Sequence, residues 1–265
     1  MPDNLDITAR AVPSKEELEQ LEQERIARRT NPEPREKLLQ NTTVLSVWLA
    51  RCAQAGIQAV PAIFSQDISV DEIFAAVDGK GDPVTIDQAR TWLGENLKPG
   101  TMWRWEQCAP LDLKSTMANG GSADERIDFS VDDPRLIDIL FENNCATTKL
   151  AVRPVVAIQR HEGYPVEFRC YVSGPDQVAV SNYYPQMGLP GSFRGRAEKA
   201  GALALKLYPF VGSGYTADFC LTPDNDLVFL EGGPPWSAGA HPCCFSPDDL
   251  QPGRIVLAPE EGALV

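Results

Sequence analysis

Hydrophobic and polar positions are most regular between residues 149 and 236, and there they predict β structure. Residues 149–161, KLAVRPVVAIQRH, are apolar apart from a few positions such as Lys149, Arg153 and Gln159, as in a buried strand. Residues 166–173 alternate: Phe168, Cys170 and Val172 take one face, Glu167, Arg169 and Tyr171 the other. A third strand, residues 177–186, follows the Gly174-Pro175-Asp176 turn. A helix over residues 197–210 ends before Gly212. In the stretch from Gly214 to Trp236, Tyr215, Ala217 and Phe219 alternate with Thr216, Asp218 and Cys220. Pro223-Asp224-Asn225-Asp226 supplies turn chemistry, and Leu227 to Leu230 return as an apolar run. Three meandering strands, a helix and a hairpin predict an antiparallel sheet backed by helices.

The first half of the chain reads differently. Ser14 and Glu17 form a capping box for a helix to about Arg29 that is charged nearly all round. A second helix spans residues 36–55, with an apolar face through Leu45, Trp48 and Cys52, and Gly56 ends it. Residues 57–64 predict a strand that Pro61 confines to a sheet edge. Capping boxes at Ser69/Glu72 and Thr85/Gln88 open two further helices. A strand from Thr101 sets Arg104 on one face, between Trp103 and Trp105 on the other, and Asp133-Pro134 opens another helix. The fold class is α+β, a mixed α/β chain. It divides into an exposed N-terminal helix or arm (1–30), an α/β lobe (31–100), a body that carries the chemistry (101–250) and a C-terminal tail (251–265).

Composition narrows the function. The formal charge is −13, from 24 basic and 37 acidic residues in a chain of 265. That balance argues against non-specific nucleic-acid binding and against anionic membrane surfaces. No apolar run approaches the ~20 residues of a membrane span, and residues 1–10 lack the apolar core of a secretory signal. Seven scattered cysteines without a C-x-x-C pair fit a cytoplasmic protein with reduced thiols. His241 beside Cys243 and Cys244 is a thiol–imidazole cluster that fits loop packing better than a metal.

Candidate chemistry centres on two acids. Asp218 lies on the first strand of the last hairpin, and Glu231 follows four apolar residues on the second, where a strand pattern asks for no acid. A turn near Asp224-Asn225 brings the two within reach, and paired carboxylates repel unless a cation lies between them. Oxygen ligands without histidine favour Mg²⁺. Arg153 and Arg169, one strand apart in the predicted meander, add cations to the same face. The alternative is a structural salt-bridge network of Arg169, Asp218 and Glu231. Neither GxxxxGK[ST] nor GxGxxG is present, and residues 118–126, ANGGSADER, form a polar Gly-rich loop.

Six motifs carry a family resemblance. They are C-A-P-L-D (108–112), V-R-P (152–154), E-F-R-C-Y-V (167–172), S-N-Y-Y (181–184), A-D-F (217–219) and L-E-G-G-P-P-W (230–236). In this order they resemble the ATP-grasp superfamily. The likeness is nearest to the branch of the cell-division-cycle protein that assists assembly of translation initiation factor two, with its bacterial and phage relatives. The resemblance implies two lobes, an antiparallel sheet with flanking helices, enclosing a nucleotide cleft within residues 101–250. It implies ATP and Mg²⁺ as cofactors. Arg104, Lys114, Arg153 and Arg169 would meet the nucleotide, Arg104 and Arg169 being the catalytic pair on the phosphates. Asp218 and Glu231 would hold the metal. The implied activity is an ADP-forming carboxylate–amine ligase working through an acyl phosphate, on an unidentified carboxylate and amine. The alternative is an ATP-binding assembly factor for a client protein. The chain departs from the family pattern at Gly233, where the family has Asn, and at Pro154, where it has Lys.

Overall fold

The computed structural model describes residues 43–80, 84–110, 113, 129–142, 145–185, 187–212, 214–235, 243 and 251–258. The expected helix from Ser14, Lys114, the loop at 118–126, Trp236, His241 and Cys244 lie outside the described residues.

Two sheets organise the chain. The smaller has the order β1 (Ile63–Phe64), β5 (Leu150–Pro154), β3 (Thr101–Trp105), antiparallel throughout. Alternation gives it two unlike faces. Trp103, Trp105, Leu150 and Val152 face a core built with Ile68, Ile73, Ile86, Leu93, Leu136 and Leu140. Those residues come from β2 (Ile68–Ser69) and the helices α2 (Val70–Val77), α3 (Val84–Asn96) and α4 (Pro134–Glu142). The opposite face carries Met102 across from Arg153, and Arg104 across from Ala151. β2 also pairs with β4 (Thr147–Thr148).

One helix start matches expectation and two depart from it. Asp133 Oδ1 accepts the N–H groups of Arg135 and Leu136, a cap ahead of Pro134 in the first turn of α4. Ser69 precedes α2 but makes no side-chain cap, and Thr85 lies inside α3 rather than before it. The expected helix through residue 55 is α1 (Leu45–Ala55), closed by Gly56 at φ 64°.

The larger sheet has the order β11 (Leu227–Gly233), β10 (Tyr215–Leu221), β8 (Glu167–Gly174), β9 (Gln177–Asn182), β12 (Ile255–Val256). Its ladders are antiparallel except for β12, which runs parallel to β9. Its back face is the main core. Phe168, Cys170, Ala217, Phe219 and Phe229 pack there with Trp48 of α1 and with Ala197, Ala200 and Ala204 of α5 (Arg194–Leu205). Small residues let α5 lie close: a Cβ on Gly201 would sit 3.0 Å from Val180. Tyr215 anchors the helix by donating its hydroxyl to Ala204 O at 2.7 Å.

Two strand expectations are corrected. Residues 149–161 are not one strand of the larger sheet. Their first part is β5 of the smaller sheet, and β6 (Arg160–His161) forms a separate hairpin with β7 (Tyr164–Pro165). The apolar residues between act as a connector: Val155 donates to Gly100 O beside the smaller sheet, and Gln159 to Leu221 O in the larger. Val156 and Ile158 pack against Val60, Cys220 and Val228, and that burial explains their strand-like composition. Residues 57–64 likewise serve both sheets. Val60 donates to Phe229 O at the edge of β11, and Ile63 pairs with Val152 at the edge of β5. Pro61, lacking an N–H, falls where the chain changes sheets.

Candidate functional site

The front faces of the two sheets meet, and charge concentrates there. In the larger sheet Ser181, Arg169, Asp218 and Glu231 are successive cross-strand partners, a single row over four strands. Direct partners in antiparallel pairs project to the same face. The pairing of Glu231 depends on a β-bulge. Ahead of it the register runs Leu221↔Leu227 and Phe219↔Phe229; at Asp218 it shifts to Glu231, which leaves Leu230 as the extra residue. In an unbroken strand, Phe229 and Glu231 would share one face. The bulge sends Phe229 back to the core and Glu231 forward to Asp218. The turn behind it is wider than two residues: Thr222 N donates to Asp226 O, and Asn225 has φ 65°. Wider turn and bulge together restore the Asp218–Glu231 pairing that a plain two-residue turn would give.

Arg169 grips Asp218 with two parallel bonds, Nε to Oδ1 at 2.8 Å and Nη2 to Oδ2 at 2.7 Å. Both side chains are nearly buried, and the guanidinium also lies 4.7 Å from the ring centre of Tyr183. Burial opposes the charge on Arg169, but Asp218 outweighs it and holds the proton more firmly than usual.

The other two arginines arrive from the smaller sheet. Arg104 donates from Nη1 to Glu231 Oε2 at 2.9 Å and from Nε to Trp105 O at 3.0 Å. Arg153 donates to two carbonyls, Leu230 O at 2.9 Å and Val60 O at 3.2 Å. No carboxylate among the described residues lies within ion-pair distance of Arg153. Burial, and then the charge of Arg104, push it down to about 9. Arg153 and Arg169 are therefore not one strand apart; they approach from opposite sheets. Among the described residues Asp218 pairs with Arg169, and Glu231 pairs with Arg104.

Beside the acids the front face changes character. Toward the turn it is apolar, with Cys220 and Val228 against Val60, Val156, Ile158 and Leu230. Glu167, cross-strand from Cys220, is buried between the two zones and receives the hydroxyl of Tyr184 at 3.4 Å. Beyond the acids lies the row Tyr171, Thr216, Gly233.

The two glycines after Glu231 answer to space, since neither has positive φ. A Cβ on Gly232 would lie 1.9 Å from the Trp48 ring on the back face, and one on Gly233 would lie 2.6 Å from Thr216 Oγ1 on the front. Glu167, Thr216 and Tyr183 were not singled out from the sequence. Alternation put Glu167 and Thr216 on the correct faces, but only the register sets them beside Asp218.

The chain aligns in three dimensions with C-terminally truncated Cdc123 from Schizosaccharomyces pombe, TM-score 0.55, at 12% identity over 85% of this chain and 98% of that one. Cdc123 from the same organism in a second structure gives TM-score 0.51 at 13% identity, over 83% and 96%. The fold is ATP-grasp-like. No family model and no curated protein matches the chain. Within this ATP-grasp-like fold, Arg104, Arg153, Arg169, Asp218 and Glu231 all come to the facing surfaces of the two sheets, and Lys114 lies outside the described residues. Cys52, Cys108, Cys145, Cys170, Cys220 and Cys243 are buried, and no disulfide joins them to one another. Among the described residues no helix is long and apolar enough to cross a membrane.

Proposed function

We propose that the facing surfaces bind ATP with Mg²⁺, the base toward the apolar zone and the phosphates toward the charged row. The observation that carries this reading is the row of buried Arg169 and Asp218 and partly exposed Glu231, with Arg104 and Arg153 delivered onto it from the other sheet. A buried ion pair adds little to stability over apolar packing of the same volume, so three buried arginines are weakly explained as scaffolding. Arg153 is the clearest case: a buried cation, held by carbonyls, gains most from an incoming anion.

The donor set fits the metal. Asp218, Glu231 and the Thr216 hydroxyl are hard oxygen donors on one face, and the Thr216 oxygen occupies the space that a Cβ on Gly233 would take. Mg²⁺ takes one or two carboxylates and completes its shell with waters and phosphate oxygens. A bound Mg²⁺ would neutralise phosphate charge and align the terminal phosphoryl group. Arg104 and Arg169 would turn part of their hydrogen bonding from Glu231 and Asp218 to phosphate oxygens, as planar forks suited to both. Glu167, between base and phosphate zones, would accept sugar hydroxyls.

The reaction assigned is ATP-dependent ligation. A substrate carboxylate oxygen attacks the terminal phosphorus and ADP leaves; an amine then attacks the acyl carbon and expels phosphate. Such transfer demands positioning and charge neutralisation rather than a covalent residue. A second use of the same site, ATP-dependent assembly of a client protein, is favoured by the motif resemblance and by the likeness to Cdc123 along 98% of that chain. Thermal shift with ATP and Mg²⁺ tests both: Tm rises with the pair together, and an unmoved Tm removes the nucleotide reading. ADP release on addition of amino acids or polyamines separates ligase from assembly factor.

A further inference from the structure

We propose that Thr216 is a third protein ligand to the divalent cation, its hydroxyl lying beside the two carboxylates in the room that Gly233 leaves open. This rests on the Mg²⁺ reading of Asp218 and Glu231. Thr216 and Asp218 are two residues apart on β10, so both project to the front face, and Thr216 is the cross-strand partner of Gly233 as Asp218 is of Glu231. The four positions form two adjacent rows, three of them bearing oxygen and the fourth bearing no side chain. Thr216 is 2% exposed, so its hydroxyl is withdrawn from bulk solvent.

Its hydrogen bonding has the right polarity. The hydroxyl proton goes to Pro234 O at 3.2 Å, and among the described residues no donor reaches its lone pairs. A threonine hydroxyl has one proton and two lone pairs. With the proton turned to a carbonyl, the oxygen acts toward anything else only as an acceptor, which is what a cation requires. The 3.2 Å contact is also long for an O–H···O bond, normally about 2.7–2.8 Å, so a small shift of the hydroxyl toward the acids gives up little.

Gly233 protects that arrangement. Its backbone has no need of glycine, yet any side chain there would enter the volume of the Thr216 oxygen, with a Cβ at 2.6 Å. The chain thus has its third oxygen on β10 in place of a longer polar side chain on β11.

The test is Mn²⁺ binding in the presence of ATP, followed by electron paramagnetic resonance, on the full chain and on Thr216→Val, Thr216→Ser and Gly233→Ala. Valine keeps the β-branched shape that suits a strand, and Tm of each ligand-free variant reports folding. Thr216→Val should lose about tenfold or more in Mn²⁺ affinity, Thr216→Ser should keep the wild-type affinity, and Gly233→Ala should weaken it by displacing the hydroxyl. Wild-type Mn²⁺ affinity in Thr216→Val overturns the assignment. Should valine prevent folding, unchanged affinity in Gly233→Ala overturns it instead. Absence of Mn²⁺ binding in the wild-type chain overturns the metal reading of Asp218 and Glu231 as well, so the two failures are distinguishable.

Discussion

The two faces of the larger sheet are made by the same strands, residue by alternate residue, and they are built for different ends. The back face is apolar and tightly filled: Phe168, Ala217, Phe219 and Phe229 against Trp48 and the alanines of α5. The front face, one residue out of step, buries Arg169, Asp218 and Glu167. Packing explains the first. It does not explain the second, where desolvation of each charge costs several kcal/mol before pairing recovers it. The contrast teaches that a fold can spend stability on one face while its other face supplies it.

Substitutions sharpen the contrast. The largest effect is expected from Asp218→Ala, which strands Arg169 without its carboxylate. Removing one partner of a buried pair costs about 3–5 kcal/mol, read as a fall in the denaturant midpoint. Next comes Gly232→Ala on the back face. Its Cβ would meet the Trp48 ring at 1.9 Å, and the overpacking should cost about 1–3 kcal/mol. A back face that absorbed this change without loss would mean that Trp48 is loosely held. Glu231→Gln should cost less, about 1 kcal/mol, because it breaks one bond from Arg104 at a partly exposed carboxylate. Its main effect should be loss of the Mg²⁺-dependent rise in Tm.

A pH dependence belongs to the cores. Burial pushes the thiols of Cys108 and Cys145 up to about 11, and those of Cys52 and Cys220 up to about 12, from an ordinary 9.0. Above pH 9 the unfolded chain releases these protons and the native one keeps them, so stability falls as pH rises. The loss should begin near pH 9 and continue through 12, since burial also pushes up Cys170 and Tyr215, as measured by chemical denaturation at a series of pH values. Thiol reagents should find these four cysteines unreactive at pH 8 in the native protein and reactive in urea.

Much of this was legible in the sequence, and unevenly. Alternation in residues 166–173 and 215–220 placed each side chain on its face, because a period of two survives any change of partner. The motif around Arg169 and the odd position of Glu231 marked two members of the charged row. What escaped was non-local. Nothing near Leu230 announces a bulge, and the pairing of Asp218 with Glu231 was reached by assuming a shorter turn without one. The run at 149–161 looked like a single strand because residues 155–158 are apolar; they are apolar to cover the junction between sheets, not to pair within one. Arg104 meets Glu231 across 127 positions of chain, a contact that local periodicity does not encode. Ser69 carries the letters of a capping box without its bond, since pairing of β2 with β4 fixes the entry to α2 from outside the helix.

The central claim is that Asp218 and Glu231, faced by Arg104, Arg153 and Arg169, hold a metal-bridged triphosphate between the two sheets. Isothermal titration of the full chain with a non-hydrolysable ATP analogue, once with Mg²⁺ and once with EDTA, tests it most directly. Saturable binding at one site that is strong with Mg²⁺ and weakened with EDTA is the predicted result. No heat of binding under either condition would contradict it, and would return the buried charges of the front face to the role of scaffold.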